Sequence, residues 1–115
     1  MSVVEQYARA HIVSDVDIAE DEAIPVVLRY DPETDPRSVR IRLPGTPEWT
    51  FSRALLEQGL RAPVGSGDVR VWPCGRVQAV VEFHSPHGVS VVQFEQKALL
   101  RFLRRTYTAT APVRG

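Results

Sequence analysis

Trp49-Thr50-Phe51-Ser52-Arg53-Ala54-Leu55-Leu56-Glu57-Gln58-Gly59-Leu60 carries a strand, a helix and both helix ends in one short run. Glu48 to Phe51 reads as a brief strand, with Trp49 and Phe51 on one face as core anchors. Ser52 is a helix cap, because its hydroxyl can accept a hydrogen bond from a first-turn amide. Arg53 to Gln58 is then a helix of about two turns with Leu55 and Leu56 turned inward, so short that packing must hold it. Gly59 is placed to end it in a left-handed conformation, and Leu60 follows as an apolar anchor. Arg53 opposes the helix dipole, which predicts a specific partner; Asp68 is the candidate carboxylate.

Downstream, Arg61 to Gly67 is a Gly/Pro-rich loop. Asp68 to Trp72 alternates, with Val69 and Val71 inward and Arg70 and Trp72 outward. Pro73-Cys74-Gly75 breaks that run. Arg76 to Ser85 is a valine-rich strand, Pro86-His87-Gly88 a hairpin turn, and Val89 to Gln93 the returning strand. Lys97 to Arg105 closes the chain as an amphipathic helix. Leu99, Phe102, Leu103 and Thr106 share one face, and Lys97, Arg101, Arg104 and Arg105 another. Residues 108–115 are expected to fray.

Upstream, Arg37 to Leu43 shows the cleanest alternation, Val39, Ile41 and Leu43 against Ser38, Arg40 and Arg42. Asp31 to Pro36 is dense in turn formers and joins it to a strand at Ile24 to Tyr30, whose Pro25 marks a strand start or an edge. Gln6 to Val13 is a further strand, with Tyr7, Arg9, His11 and Val13 on one face and Ala8, Ala10 and Ile12 on the other. Ser14 to Ala23 reads as an exposed acidic loop. Strands in hairpins with helices set apart make an α+β fold, antiparallel sheets with two helices in the order four strands, helix, three strands, helix. The two halves share a strand–helix plan. The chain has 115 residues, which fits one domain spanning 1–115.

The composition is that of a soluble globular protein, and no apolar run approaches the roughly 20 residues that span a bilayer. The N-terminus lacks a basic segment followed by an apolar one, so no signal peptide and a cytoplasmic location are expected. The net charge is zero but unevenly spread. Residues 1–35 hold nine acids against Arg9 and Arg29, whereas residues 96–115 hold five bases and no acid. Such polarity steers charged partners. It makes the acidic loop (Asp15, Asp17, Glu20, Asp21) and the basic helix (Lys97, Arg101, Arg104, Arg105) the candidate partner-binding surfaces.

Signals for catalysis are weak. His84 and His87 flank a turn with no further Cys or His beside them, and Cys74 is the only cysteine. Gly65-Ser66-Gly67-Asp68 is followed by a strand and lacks the Lys-Ser/Thr pair of a phosphate loop. No nucleophile motif is present. Neither cofactor nor metal is expected, and the chain reads as a non-enzyme. Arg40, Arg42, Arg70 and Arg76 on a sheet face, with Trp72 and Tyr30 as stacking platforms, would suit single-stranded nucleic acid. The neutral charge argues against that alternative, because nucleic-acid modules carry a basic excess.

Trp49, Phe51, Arg53, Leu55, Leu56, Gly59, Leu60, Pro63, Gly65, Gly67, Asp68 and Val69 together resemble the SsgA-like family of actinomycete sporulation and cell-division regulators. Pro25, Leu28, Arg29, Tyr30 and Asp31 with Asp35-Pro36 upstream, and Phe102-Leu103-Arg104-Arg105-Thr106 downstream, are similar to the family's other blocks, in the same order. The resemblance implies a non-enzymatic adaptor of sporulation septation that works through protein contacts. It implies a Whirly-like fold, a homotrimer, and FtsZ or another SsgA-like protein as partner at division septa. It also keeps the nucleic-acid alternative in view through the fold. A neutral chain with a basic last helix departs from the acidic members associated with FtsZ.

Overall fold

The computed structural model describes residues 3–13, 23–45 and 47–110. Ten elements follow one another: β1 (Val4–Val13), β2 (Ala23–Tyr30), β3 (Ser38–Arg42), β4 (Trp49–Ser52), α1 (Arg53–Gly59), β5 (Val64–Ser66), β6 (Val69–Cys74), β7 (Gln78–Ser85), β8 (Gly88–Glu95) and α2 (Gln96–Thr110). Among the described residues eight strands form one antiparallel sheet in the order β4-β3-β2-β1-β8-β7-β6-β5. Each half of the chain is a four-strand meander followed by a helix. The halves join where β1 pairs β8 from Ala10↔Phe94 to Val13↔Val91.

One face of the sheet and the two helices enclose the core. Val39 and Ile41 of β3, Val69 and Val71 of β6, and Val81 and Phe83 of β7 all point into it. The alternation read from Arg37 to Leu43 and from Asp68 to Trp72 is therefore the alternation that is buried. The sheet curls enough for aromatic rings of β4 to meet one of β7. Trp49 stacks on Phe83 at 4.8 Å between ring centroids, and Phe51 meets the same ring edge-on at 6.1 Å.

Four expectations change. Val64 to Ser66, read as loop, is a strand, so the second half also has four strands. It is only three residues long and contains a glycine, so pairing with β6, not propensity, makes it a strand. Pro73 and Cys74 continue β6 instead of breaking it. Pro73 is tolerated because β5 pairs only with Val69 to Val71, leaving that side of β6 open at the proline. Pro25 in β2 is placed the same way, beyond the end of the β3 pairing. Residues 108–110, expected to fray, belong to α2, where the Thr108 hydroxyl donates to the Arg104 carbonyl.

The fourth change concerns Gly59. Its φ is not positive, and it is the last residue of α1, not a left-handed stop. Its role is close approach: a Cβ there would lie 2.3 Å from Cβ and Cγ1 of Val71. The helix instead ends through Leu60, whose N–H donates to the Glu57 carbonyl, while the Arg61 and Ala62 amides donate to the Gln58 carbonyl. The other end is as expected, with Ser52 Oγ accepting from the Leu55 amide at 3.1 Å. The acidic segment from Ser14 to Glu22, with Asp15, Asp17, Glu20 and Asp21, lies outside the described residues.

Candidate functional site

Arg53 opens α1 next to its cap, and the chain meets its unfavourable charge with rings and hydroxyls. The guanidinium sits 4.0 Å from the Tyr107 ring centroid and 5.1 Å from that of Tyr30. Its Nη1 donates to the Tyr30 hydroxyl at 3.2 Å and, at the long limit of 3.5 Å, to Thr106 Oγ1. The Tyr30 hydroxyl in turn donates to the Pro36 carbonyl at 2.8 Å. Thr106, fully buried, donates to the Leu103 carbonyl. Tyr107 donates to the Glu57 carboxylate. That bond, followed by partial burial, raises the Tyr107 pKa above its usual value of 10.0. Cation–π contacts of this kind contribute about 0.5–2 kcal/mol each.

Asp68, the carboxylate expected to meet Arg53, lies exposed in the β5–β6 hairpin, where its backbone carbonyl accepts from the His84 amide. Tyr30 is 1% exposed, so it cannot be the stacking platform that the sequence suggested. Both errors share one cause. Nothing in the local sequence indicates that Tyr30, Arg53 and Thr106, each from a different block, converge on one point.

The outward sheet face divides into two places. On β3, Arg40 approaches Glu48 at 4.0 Å and Arg42 is exposed. In register with Arg40 on β2 stands Arg29, which the sequence reading did not place on this face and whose buried Nε has no hydrogen-bond partner among the described residues. On β6, Arg70 and Trp72 border an open cleft of about 640 Å³ with Glu82 and the stretch from Pro63 to Gly67. Gly65 lets the Arg70 side chain lie close across β5, since a Cβ there would sit 3.0 Å from Arg70 Cγ. Four strands separate β3 from β6 in the hydrogen-bonded order of the sheet. Arg40 and Arg42 thus stand on one strand, and Arg70 and Trp72 on another that is not its neighbour in the sheet. Arg76 lies apart from both, in the turn between β6 and β7. His84 Nε2 is 2.7 Å from Glu82 Oε1, and among the described residues no three metal-ligating side chains converge.

The basic face of α2 is intact. Lys97, Arg101, Arg104 and Arg105 are all exposed, opposite the buried Leu99, Phe102 and Leu103. Arg105 donates to the Glu5 carbonyl at 3.4 Å and to Gln6 Oε1 at 3.2 Å, which ties the helix to β1. Gln6 Nε2 makes a second tie to the Ala98 carbonyl. Beside this face, where β1 diverges from β8, a cleft of about 410 Å³ is lined by Tyr7, Arg9, His11, Gln78, Gln93, Glu95 and Arg101, among others. Arg9 and His11 were read only as strand residues; adjacency to α2 depends on the β1–β8 pairing, which no local pattern signals.

The family described as Streptomyces sporulation and cell division protein, SsgA, matches residues 24–114. This chain belongs to the SsgA family. It is 40% identical over 96 residues to the sporulation-specific cell division protein SsgB of Streptomyces coelicolor, covering 77% of this chain and 69% of that one. It is 38% identical over 94 residues to SsgB of Frankia casuarinae, covering 75% of this chain and 64% of the relative. The fold agrees with a solved structure of SsgB, in which mutations correlate to longitudinal cell division during sporulation of Streptomyces coelicolor. The TM-score is 0.82 at 37% identity, over 94% of this chain and 86% of the other. An SsgA-like sporulation-specific cell division protein of Thermobifida fusca matches with a TM-score of 0.73 at 26% identity, over 94% and 82% of the two chains. In this SsgA-family chain the motif residues Trp49, Phe51, Arg53 and Gly59 are all spent on packing one strand and one helix.

Proposed function

We propose that this chain is a non-enzymatic adaptor of sporulation-specific cell division that acts through protein–protein contacts. The observation that carries the reading is 40% identity to a sporulation-specific cell division protein across most of the folded chain. The proposed working form is a cytoplasmic homo-oligomer, a trimer, gathered at division septa, with FtsZ or another SsgA-like protein as partner. Tyr7, Ile12, Val13 and Val89 are large apolar side chains left exposed in one chain, and association would cover such surface. The adaptor reading also agrees with where the motif side chains go: they hold the fold together and leave the surface to choose the partner.

The test is removal of the gene from the sporulating host and restoration with a fluorescently tagged copy. The reading requires misplaced or missing sporulation septa on deletion, and tagged protein at septa on rescue. Normal spore chains in the deletion strain would overturn it. Sedimentation of the purified protein tests the trimer, and a monomer at micromolar concentration would refute that part.

A second reading rests on Trp72 beside Arg70 in a cleft, a ring and a cation side by side on a sheet. With the Whirly-like kinship that the family resemblance implies, it makes this face a short single-stranded nucleic-acid platform. It requires oligonucleotide binding that weakens steeply with salt and is lost on Trp72→Ala.

A further inference from the structure

The outer face of α2 is a cationic ridge with an apolar centre. Lys97, Arg101 and Arg104 surround Leu100, which is 44% exposed although it lies on a helix otherwise well packed. Among the described residues none of these three cations forms an ion pair with a carboxylate; the ion pairs present use Arg40, Arg61 and His84. The ridge continues into the cleft where β1 leaves β8, and there Arg101 is joined by Arg9 and His11, with Glu95 as the one acidic side chain of the lining. A strand residue from the start of the chain and a helix residue from its end thus present positive charge to the same recess.

We infer that this ridge and cleft bind an acidic peptide segment of a partner protein, with an apolar side chain on Leu100 and a carboxylate in the recess between Arg9 and Arg101. This deepens the adaptor reading and rests on it. Charge complementarity selects an acidic partner. The dimensions select peptide over nucleic acid. Lys97 to Arg104 spans about 10 Å of helix, enough for two or three carboxylates and too short for the run of phosphate contacts that drives nucleic-acid binding. An exposed leucine amid the cations likewise suits an amphipathic peptide and offers nothing to a phosphate backbone. Arginine contributes further, because its planar guanidinium takes a carboxylate through two parallel hydrogen bonds.

The experiment measures fluorescence anisotropy of a labelled synthetic peptide of glutamates with two leucines, titrated with the full chain. The same peptide with glutamine for glutamate, and a labelled oligothymidine, run beside it. The acidic peptide is expected to bind, with affinity falling as salt rises. The Arg101→Glu/Arg104→Glu double variant is expected to weaken binding about tenfold or more, and Arg9→Gln several-fold. Arg42→Glu, on β3 and outside the lining of the recess, is expected to leave it unchanged. Equal binding of the glutamine peptide, or equal loss with Arg42→Glu, would overturn the site. So would oligothymidine binding lost in the same double variant, which would transfer the ridge to nucleic acid. Circular dichroism checks each variant, and Arg101→Gln/Arg104→Gln serves if charge reversal disturbs the fold. In cells the outcomes separate: a double variant that restores normal septa to the deletion strain overturns the ridge and spares the adaptor reading. A deletion strain with normal septa overturns the adaptor reading whatever the peptide does.

Discussion

Two arginine-bearing surfaces differ in what surrounds the cation. Around Arg53 the cation is enclosed by Tyr30, Thr106 and Tyr107, residues drawn from two distant stretches of the chain. Along α2 the cations Lys97, Arg101 and Arg104 stand in solvent. The first surface is closed by the chain itself. The second is left for something else to close. The same residue type therefore serves fold and recognition, and what separates the roles is whether the chain supplies the partner groups.

The sharpest way to break this contrast is to attack the closed side. Phe83→Ala removes the ring against which both Trp49 and Phe51 pack, at a position with no solvent exposure. A loss of about 3–5 kcal/mol is expected in urea denaturation. Gly59→Ala comes next. The added methyl would meet Val71 at 2.3 Å, so α1 must shift away from β6, and a loss of about 1–3 kcal/mol is expected by the same measurement. Arg53→Met keeps the aliphatic stem but discards the ring and hydroxyl contacts of the guanidinium. A loss of about 1–2 kcal/mol is expected, with the 53–59 amides exchanging faster by hydrogen exchange. Ser52→Ala, which removes only the cap on the Leu55 amide, should cost about 1 kcal/mol.

On the open side, Arg101→Gln/Arg104→Gln should stay within about 0.5 kcal/mol of the parent. A large destabilisation there would dissolve the contrast. The smallest expected effect is one of pH. The Tyr107 phenol is held neutral by donating to Glu57, so its pKa in the folded chain lies above 10.0. Its contribution is complete below that value and declines as pH rises toward the folded-state pKa, because the unfolded chain loses the proton first. Thermal melts above about pH 10 should therefore fall less steeply for Tyr107→Phe than for the parent.

Much of the closed side was legible in the sequence. The Ser52 cap, the inward Leu55 and Leu56, and the alternations of β3 and β6 are local patterns with periods of two or 3.6 residues. The misreadings all depend on what lies across the fold. Gly59 looked like a stop because glycine commonly ends helices, whereas here it answers to Val71. Val64 to Ser66 looked like a loop because its strand character comes from β6. Tyr30 looked like an exposed platform until Arg53 and the Pro36 carbonyl proved to be its neighbours. For the candidate site, the four bases of α2 were legible by helical spacing, but Arg9 was not, since its place depends on sheet order. Arg40 and Arg70 turned outward as expected, on strands that are not neighbours in the sheet.

The pairing of β1 with β8 carries a consequence for how the chain comes into being. It sets Ala10 beside Phe94 and Val13 beside Val91, the first strand against the last. During synthesis the amino-terminal meander has left the ribosome long before its neighbour exists, and the flank of β1 that β8 will cover waits open. Joining distant strands is slow, because the intervening loop must be closed before any contact rewards it. The sheet therefore becomes continuous only once β8 has emerged, and the waiting edge of β1 is where a nascent chain of this kind is most open to pairing with the wrong neighbour.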